Sequence, residues 1–240
     1  MSVIIPAILP KSREDLDDKL AQLEGLVNAV QIDIVDGRFV SPASWPYASG
    51  TDEFAASVAA GELLPYVGQM QFEIDLMVSD PENVTGIWIS AGASRVTLHA
   101  ESTTYLPKAI TDLEVKYGHA KGFAEGLLTM GLAINIASEL SLIEPYLDSV
   151  DYVQFMGIAT IGRQGEPFDP RVLRKVTAFK KKYPNIPVQV DGGVTLATAP
   201  KLLQAGVDRL IVGSGIWNAQ NIADEIKEFE ELIHQYGIYS

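Results

Sequence analysis

Short apolar runs rich in Val and Ile alternate along the chain with longer stretches whose apolar residues recur at helical spacing. The runs predict strands at Val3–Leu9, Ala29–Ile34, Gln69–Met77, Arg95–His99, Gly131–Ile136, Tyr152–Gly157, Pro187–Val190 and Arg209–Val212. The clearest helix runs from Ser12 to Val27. Ser12 and Asp15 form a capping-box pattern, and Leu16, Leu20, Leu23 and Val27 share one face. Further helices are expected at Asp52–Ala60, Pro81–Ala91, Thr104–Tyr117, Ser138–Leu147, Pro170–Tyr183, Leu196–Ala205 and Asn221–Tyr236. Strands that are apolar almost throughout suit a parallel sheet covered by helices. Alternation alone fits a closed barrel or a doubly wound sheet. Eight units in 240 residues favour a single (β/α)8 TIM barrel spanning residues 1–240. Ser41–Thr51, with two prolines, Trp45 and Tyr47, and Gly118–Thr129 look like insertions. The Trp45–Tyr47 segment can be read as a lid, an oligomer contact or a folded-back loop.

Active residues of such barrels sit at the C-terminal ends of strands, and those ends carry the candidate chemistry. Strand two ends in QIDIVDG, strand three in EIDLM and strand seven in QVDGG. Side chains alternate along a strand, so Gln31 and Asp33 point the same way. Neighbouring strands two and three bring Asp75 toward Asp33, and Asp191 approaches from across the ring. Two carboxylates flanking one carbon suit a two-base epimerisation: one removes a proton beside a ketone and the other returns one to the opposite face. The enediolate between needs a metal ion or hydrogen-bond donors. The plainer reading is that strand-end Asp residues cap helices. Gly192-Gly193 and Gly213-Ser214 fall in the loops after strands seven and eight, where this fold commonly binds phosphate. GIATIGRQGEPF, residues 157–168, reads as a loop over a ligand, with Arg163 available to phosphate, or as a plain exposed turn. His99, Met77 and Met156 lie at strand ends, where pocket lining and core packing are both open. His119 and His234 read as surface residues.

The formal charge of −13 disfavours nucleic acid as a partner and leaves any phosphate site to local backbone donors. The chain has no cysteine, which removes thiolate chemistry, and no apolar run of membrane-spanning length. A cytoplasmic protein that does not engage a membrane is expected.

These pieces resemble the ribulose-phosphate 3-epimerase family. The likeness rests on Ile5–Leu9, QIDIVDGRFV at Gln31–Val40, IDLMV at Ile74–Val78, Leu98–Glu101, Val190–Val194 and Val212–Trp217. It implies a ribulose-phosphate-binding barrel that inverts C3 of a pentulose phosphate (ribulose 5-phosphate/xylulose 5-phosphate) by metal-assisted catalysis. Asp33 and Asp191 would be the acid–base pair, with Gly192, Gly193, Gly213 and Ser214 on the phosphate; a homo-oligomer is also implied. The sequence departs from the family pattern at several points. Gln31 and Asp75 stand where the family's two metal-binding histidines are, Ala7 replaces a serine, and Ala159–Gly162 replaces an Asn-Pro-Gly loop. Gln31, Asp33, Asp75 and Asp191 form an oxygen donor set suited to Mg²⁺ or Mn²⁺ rather than zinc or iron, and a metal-free site is the alternative. Two other functions compete. A repurposed, non-catalytic sugar-phosphate-binding barrel is one. A decarboxylase or aldolase on the same fold is the other, disfavoured because Asp33-Ile34-Val35-Asp36 lacks the lysine of the Asp-x-Lys-x-x-Asp pattern.

Overall fold

The computed structural model describes residues 2–50, 53–103, 105–117 and 128–237. His119 and most of the second expected insertion lie outside them. Eight parallel strands close in sequence order into one barrel. In chain order the elements are β1 (Val3–Ile8), α1 (Arg13–Leu23), β2 (Ala29–Val35), α2 (Glu53–Ala59), β3 (Gln71–Met77), α3 (Thr85–Ser90), β4 (Ala93–His99), α4 (Leu106–Tyr117), β5 (Thr129–Ile134), β6 (Tyr152–Met156), α5 (Arg171–Lys182), β7 (Val188–Asp191), α6 (Ala199–Ala205), β8 (Arg209–Val212), α7 (Ser214–Trp217) and α8 (Ile222–Tyr236). Among the described residues, no helix is long and apolar enough to cross a membrane.

The apolar pattern explains the packing. In α1, the amide of Asp15 donates to the Ser12 hydroxyl at the N-cap, and Leu16, Leu20 and Leu23 are buried against the barrel. Burying each leucine contributes about 1.5–3 kcal/mol before entropy is charged against it. In α5 the buried stripe is Val172, Val176 and Phe179, and Lys180, Lys181 and Lys182 sit at the negative end of the helix dipole. Outward strand residues such as Ile32, Ile34, Ile74, Leu76 and Leu98 complete the core between sheet and helices.

The expected helix at Ser138–Leu147 is instead two 3₁₀ turns, Leu140–Leu142 and Glu144–Tyr146. Pro145 is the cause: it lacks an N–H and its ring clashes with the carbonyl four residues back. Pro81 likewise opens a 3₁₀ turn, Pro81–Asn83, before α3. The proline-rich segment after β2 folds back onto the protein. Trp45 packs edge-on against Phe54 and Trp88, with ring centroids 4.9 and 6.0 Å away.

Unlike the outer layer, the barrel interior is largely polar, apart from an apolar cluster of Ile5, Ala7 and Ile211. Register pairs Gln31 with Glu73 and Asp33 with Asp75. At the N-terminal end Glu73 pairs with Arg95 and Arg209, and the Arg95 guanidinium lies 3.5 Å from the Tyr152 ring centroid. Gly131 makes room for that ring, since a β-carbon there would lie 2.2 Å from it.

Candidate active site

Three buried carboxylates converge at the C-terminal end of the barrel. Asp33, Asp75 and Asp191 each offer an oxygen, and the three oxygens lie within 4.8 Å of one another. Gln31, fully buried one step deeper on β2, joins two of them. Its Nε2 donates to Asp33 Oδ1 and to Asp191 Oδ2, both at 2.8 Å. Its Oε1 is buried and has no partner. Asp75 is held from both sides: His99 Nε2 lies 3.0 Å from Oδ1, and Gln154 Nε2 donates to Oδ2 at 3.0 Å. Gln154 accepts in turn from Gln189, which accepts from Arg95. A continuous polar chain therefore runs from the mouth of the barrel to its far end.

This crowding sets the protonation states. Burial raises the Asp33 carboxyl well above its ordinary range, and the charges of Asp191 and Asp75 push the same way against the Gln31 hydrogen bond. Burial and the Asp75 charge hold Asp191 at about 7, with Gln31, His99 and the Gly192 amide opposing them. Burial disfavours a charged His99, yet the charge and hydrogen bond of Asp75, with the charges of Glu101 and Asp191, together outweigh it and raise the imidazole. Both carboxyls of the Asp33–Asp191 pair are thus raised, by burial first and by neighbouring carboxylate charge second.

Above the carboxylates lies a cleft lined by Asp33, Asp191, Met77, Met156, Leu9, Ile158 and the four residues Gly192, Gly193, Gly213 and Ser214. Gln31, Asp75 and His99 lie beneath it, fully buried. The glycines are dictated by close approach. Gly193 has φ +69°, and a β-carbon there would lie 2.7 Å from Phe168 Cα. A β-carbon on Gly213 would meet Gln164 Nε2 at 2.8 Å. Gln164 comes from the loop after β6, lies against Gly213 and donates to the Ala7 carbonyl at 3.2 Å. The covered cleft retains about 40 Å³, enough for a few waters, so a sugar phosphate requires this loop to move. Arg163 also lines the cleft, and its Nε donates to the Ser41 carbonyl at 3.3 Å. Gln154, Gln189 and Gln164 were not singled out from sequence. A single glutamine inside the short apolar strands YVQFM and VQVD was the available signal for the first two.

The family model for the ribulose-phosphate 3 epimerase family matches residues 3–217. The chain belongs to this family. It is 30% identical over 233 residues to the chloroplastic ribulose-5-phosphate-3-epimerase of Arabidopsis thaliana, covering 94% of this chain and 75% of that one. To the ribulose-phosphate 3-epimerase of Bacillus subtilis it is 25% identical over 234 residues, covering 95% and 98%. By name, both relatives are enzymes acting on carbohydrate phosphates. The 3-keto-L-gulonate-6-phosphate decarboxylase structure from Vibrio cholerae superposes with a TM-score of 0.70 at 12% identity, covering 99% of each chain, which is a likeness of fold.

A resident metal can be tested against these donors. Three carboxylates and one amide oxygen make an all-oxygen set, which suits a hard divalent ion such as Mg²⁺ or Mn²⁺. The orphaned Gln31 Oε1 supports the fit. A half-turn of the terminal amide would exchange its ends and turn that oxygen toward Asp33 and Asp191.

Proposed function

We propose that this protein interconverts the C3 epimers of a pentulose 5-phosphate, ribulose 5-phosphate and xylulose 5-phosphate. The observation that carries the reading is the juxtaposition of Asp33 and Asp191, bridged by Gln31, on the floor of a cleft that also holds the two glycine loops. Backbone amides of Gly192, Gly193, Gly213 and Ser214 would anchor the phosphate, which an overall charge of −13 cannot attract at long range. That anchoring sets C3 between the carboxylates. The ionised Asp191 removes the C3 proton, and the C–H electron pair moves toward the C2 carbonyl. The protonated Asp33 then delivers its proton to the opposite face of C3. The reverse reaction exchanges the roles. This sequence of transfers needs one carboxyl protonated and one ionised, and the raising of both groups by burial supports it. Gln31 holds the pair in register, with both amide hydrogens given to the two carboxylates.

A divalent Mg²⁺ or Mn²⁺, when bound, would be held by Asp33, Asp75, Asp191 and Gln31 Oε1 and would stabilise the enediolate as a Lewis acid. The His99–Asp75–Gln154 arrangement fixes the orientation of Asp75. Conversion of ribulose 5-phosphate, followed by proton NMR with EDTA and then with added Mn²⁺, tests the proposal. Xylulose 5-phosphate is the expected product under at least one condition. Its absence under both refutes turnover.

One observation favours the second reading, sugar-phosphate binding without catalysis: Gln31 and Asp75 stand where the family pattern has two metal-binding histidines, while the glycine loops are kept. Calorimetry that registers ribulose 5-phosphate binding while NMR registers no product would select it.

A further inference from the structure

A second hollow opens at the barrel mouth, on the other side of the Gly162–Gln164 segment that also walls the first cleft. Its volume is about 920 Å³. Lys11, Lys19 and Arg163 face it from the β1–α1 loop, from α1 and from the loop after β6. Asp15 is its one carboxylate, and that group is already engaged: Oδ2 accepts from Lys19 Nζ and from the Lys11 amide, both at 2.9 Å. Lys19 is thereby neutralised, with its Nζ 5.6 Å from the centroid of the Trp217 ring. Among the described residues, neither the Lys11 ammonium nor the Arg163 guanidinium has a carboxylate within 4 Å, and Lys11 acts on Asp15 only from further off. Arg163 spends only its Nε, on the Ser41 carbonyl, which leaves its terminal amino groups free to donate. In a chain of net charge −13, an ammonium and a guanidinium without a close ion-pair partner, both lining one hollow, run against the overall composition.

We infer that this hollow is a second anion site, built for the phosphoryl group of a small molecule. A planar guanidinium fork and an ammonium on one hollow suit tetrahedral oxyanions, and the indole of Trp217 gives the site an apolar wall. The inference does not depend on epimerase activity. The hollow is also tied mechanically to the first cleft. Arg163 adjoins Gln164, which fills the glycine cup, and it holds Ser41. In the same loop the Ser44 hydroxyl accepts from the Val35 amide at 2.9 Å and donates to the Asp33 carbonyl at 3.3 Å. An anion that engages Arg163 therefore acts on the segment covering the cup. The phosphoryl group has two possible sources: a second phosphate on a ligand already seated in the cup, or a separate phosphate ester.

Calorimetric titration of the full chain with inorganic phosphate tests the site. Two equivalents are expected for the wild type. The Lys11→Glu/Arg163→Glu variant should bind one, with affinity for the second at least about tenfold weaker. Lys11→Met/Arg163→Met should lose the same equivalent without introducing repulsion, and circular dichroism melting reports whether each variant folds. Ser214→Asp places a charge in the cup and should retain only the outer equivalent. A wild type that binds a single equivalent, removed by Ser214→Asp, overturns the outer site. So does a second equivalent that survives in both Lys11/Arg163 variants. If Ser214→Asp binds two equivalents, the glycine cup reading fails and the outer site stands. Titration with a ketopentose 1,5-bisphosphate separates the sources: one per chain displacing both phosphates means a single spanning ligand, and two per chain mean separate ligands.

Discussion

Replacing Asp191 with Asn should stabilise the protein at high pH and leave it unchanged in acid. Burial and the Asp75 charge hold the Asp191 carboxyl at about 7, against 3.8 for an ordinary aspartate. Below about pH 4 the group is protonated in the folded and the unfolded chain, and it contributes no difference. Between pH 4 and 7 the unfolded chain ionises while the folded one keeps its proton, so stability falls as pH rises. Above pH 7 the full penalty applies. Three pH units at about 1.4 kcal/mol each amount to roughly 4 kcal/mol. Asn cannot ionise, and its Oδ1 can still accept from Gln31. Asp191→Asn should therefore exceed the wild type at pH 8 by as much as about 4 kcal/mol, roughly 10 °C in Tm for a chain of this size. Scanning calorimetry at pH 4.5, 6 and 8 in EDTA makes the comparison. Equal shifts at pH 4.5 and 8, or a variant less stable than the wild type at pH 8, would refute the claim that an electrostatic penalty is stored here. Adding Mn²⁺ at pH 8 should stabilise the wild type more than the variant, because binding to the folded state offsets the penalty only where the carboxylate is present.

Three further outcomes follow from the same geometry. Gln31→His exchanges an amide for an imidazole and should shift metal preference toward Zn²⁺, read as a rise in Zn²⁺ over Mn²⁺ affinity in competition calorimetry. Gly193→Ala sets a β-carbon 2.7 Å from Phe168 Cα at a left-handed φ; it should cost about 1–3 kcal/mol in urea unfolding and weaken binding of inorganic phosphate. Gln164→Ala removes the side chain filling the glycine cup and one hydrogen bond worth about 1 kcal/mol, so phosphate should bind about fivefold tighter at the cup in direct titration.

The barrel was legible because its signal is repetitive. Runs such as VQIDIV and RLIV are too apolar for a solvated sheet, and the intervening stripes at Leu16–Leu20–Leu23 and Val172–Val176–Phe179 have helical spacing. The pattern failed at Ser138–Leu147, where apolar spacing suggested a helix but Pro145 withheld a donor and imposed 3₁₀ turns. The convergence of Asp33, Asp75 and Asp191 was readable because strand ends meet at one rim of a closed barrel, whatever their separation in sequence. The hydrogen bonds among them were not. Whether Gln31 turns its nitrogen or its oxygen toward the carboxylates depends on partners 2 and 160 positions away. Loop conformations after strands are equally non-local: the folding of Gln164 into the glycine cup depends on Gly213, far along the chain.

Solvent exchange at the reacting carbon bears most directly on the proposed chemistry. Ribulose 5-phosphate incubated with the wild type in D2O should give xylulose 5-phosphate with one deuteron at C3, because the returned proton comes from a carboxyl equilibrated with solvent. The Asp33→Asn protein should form that product at least about a hundredfold more slowly. If the wild type incorporates no deuterium with any divalent metal and Asp33→Asn behaves identically, the two-carboxylate mechanism is contradicted.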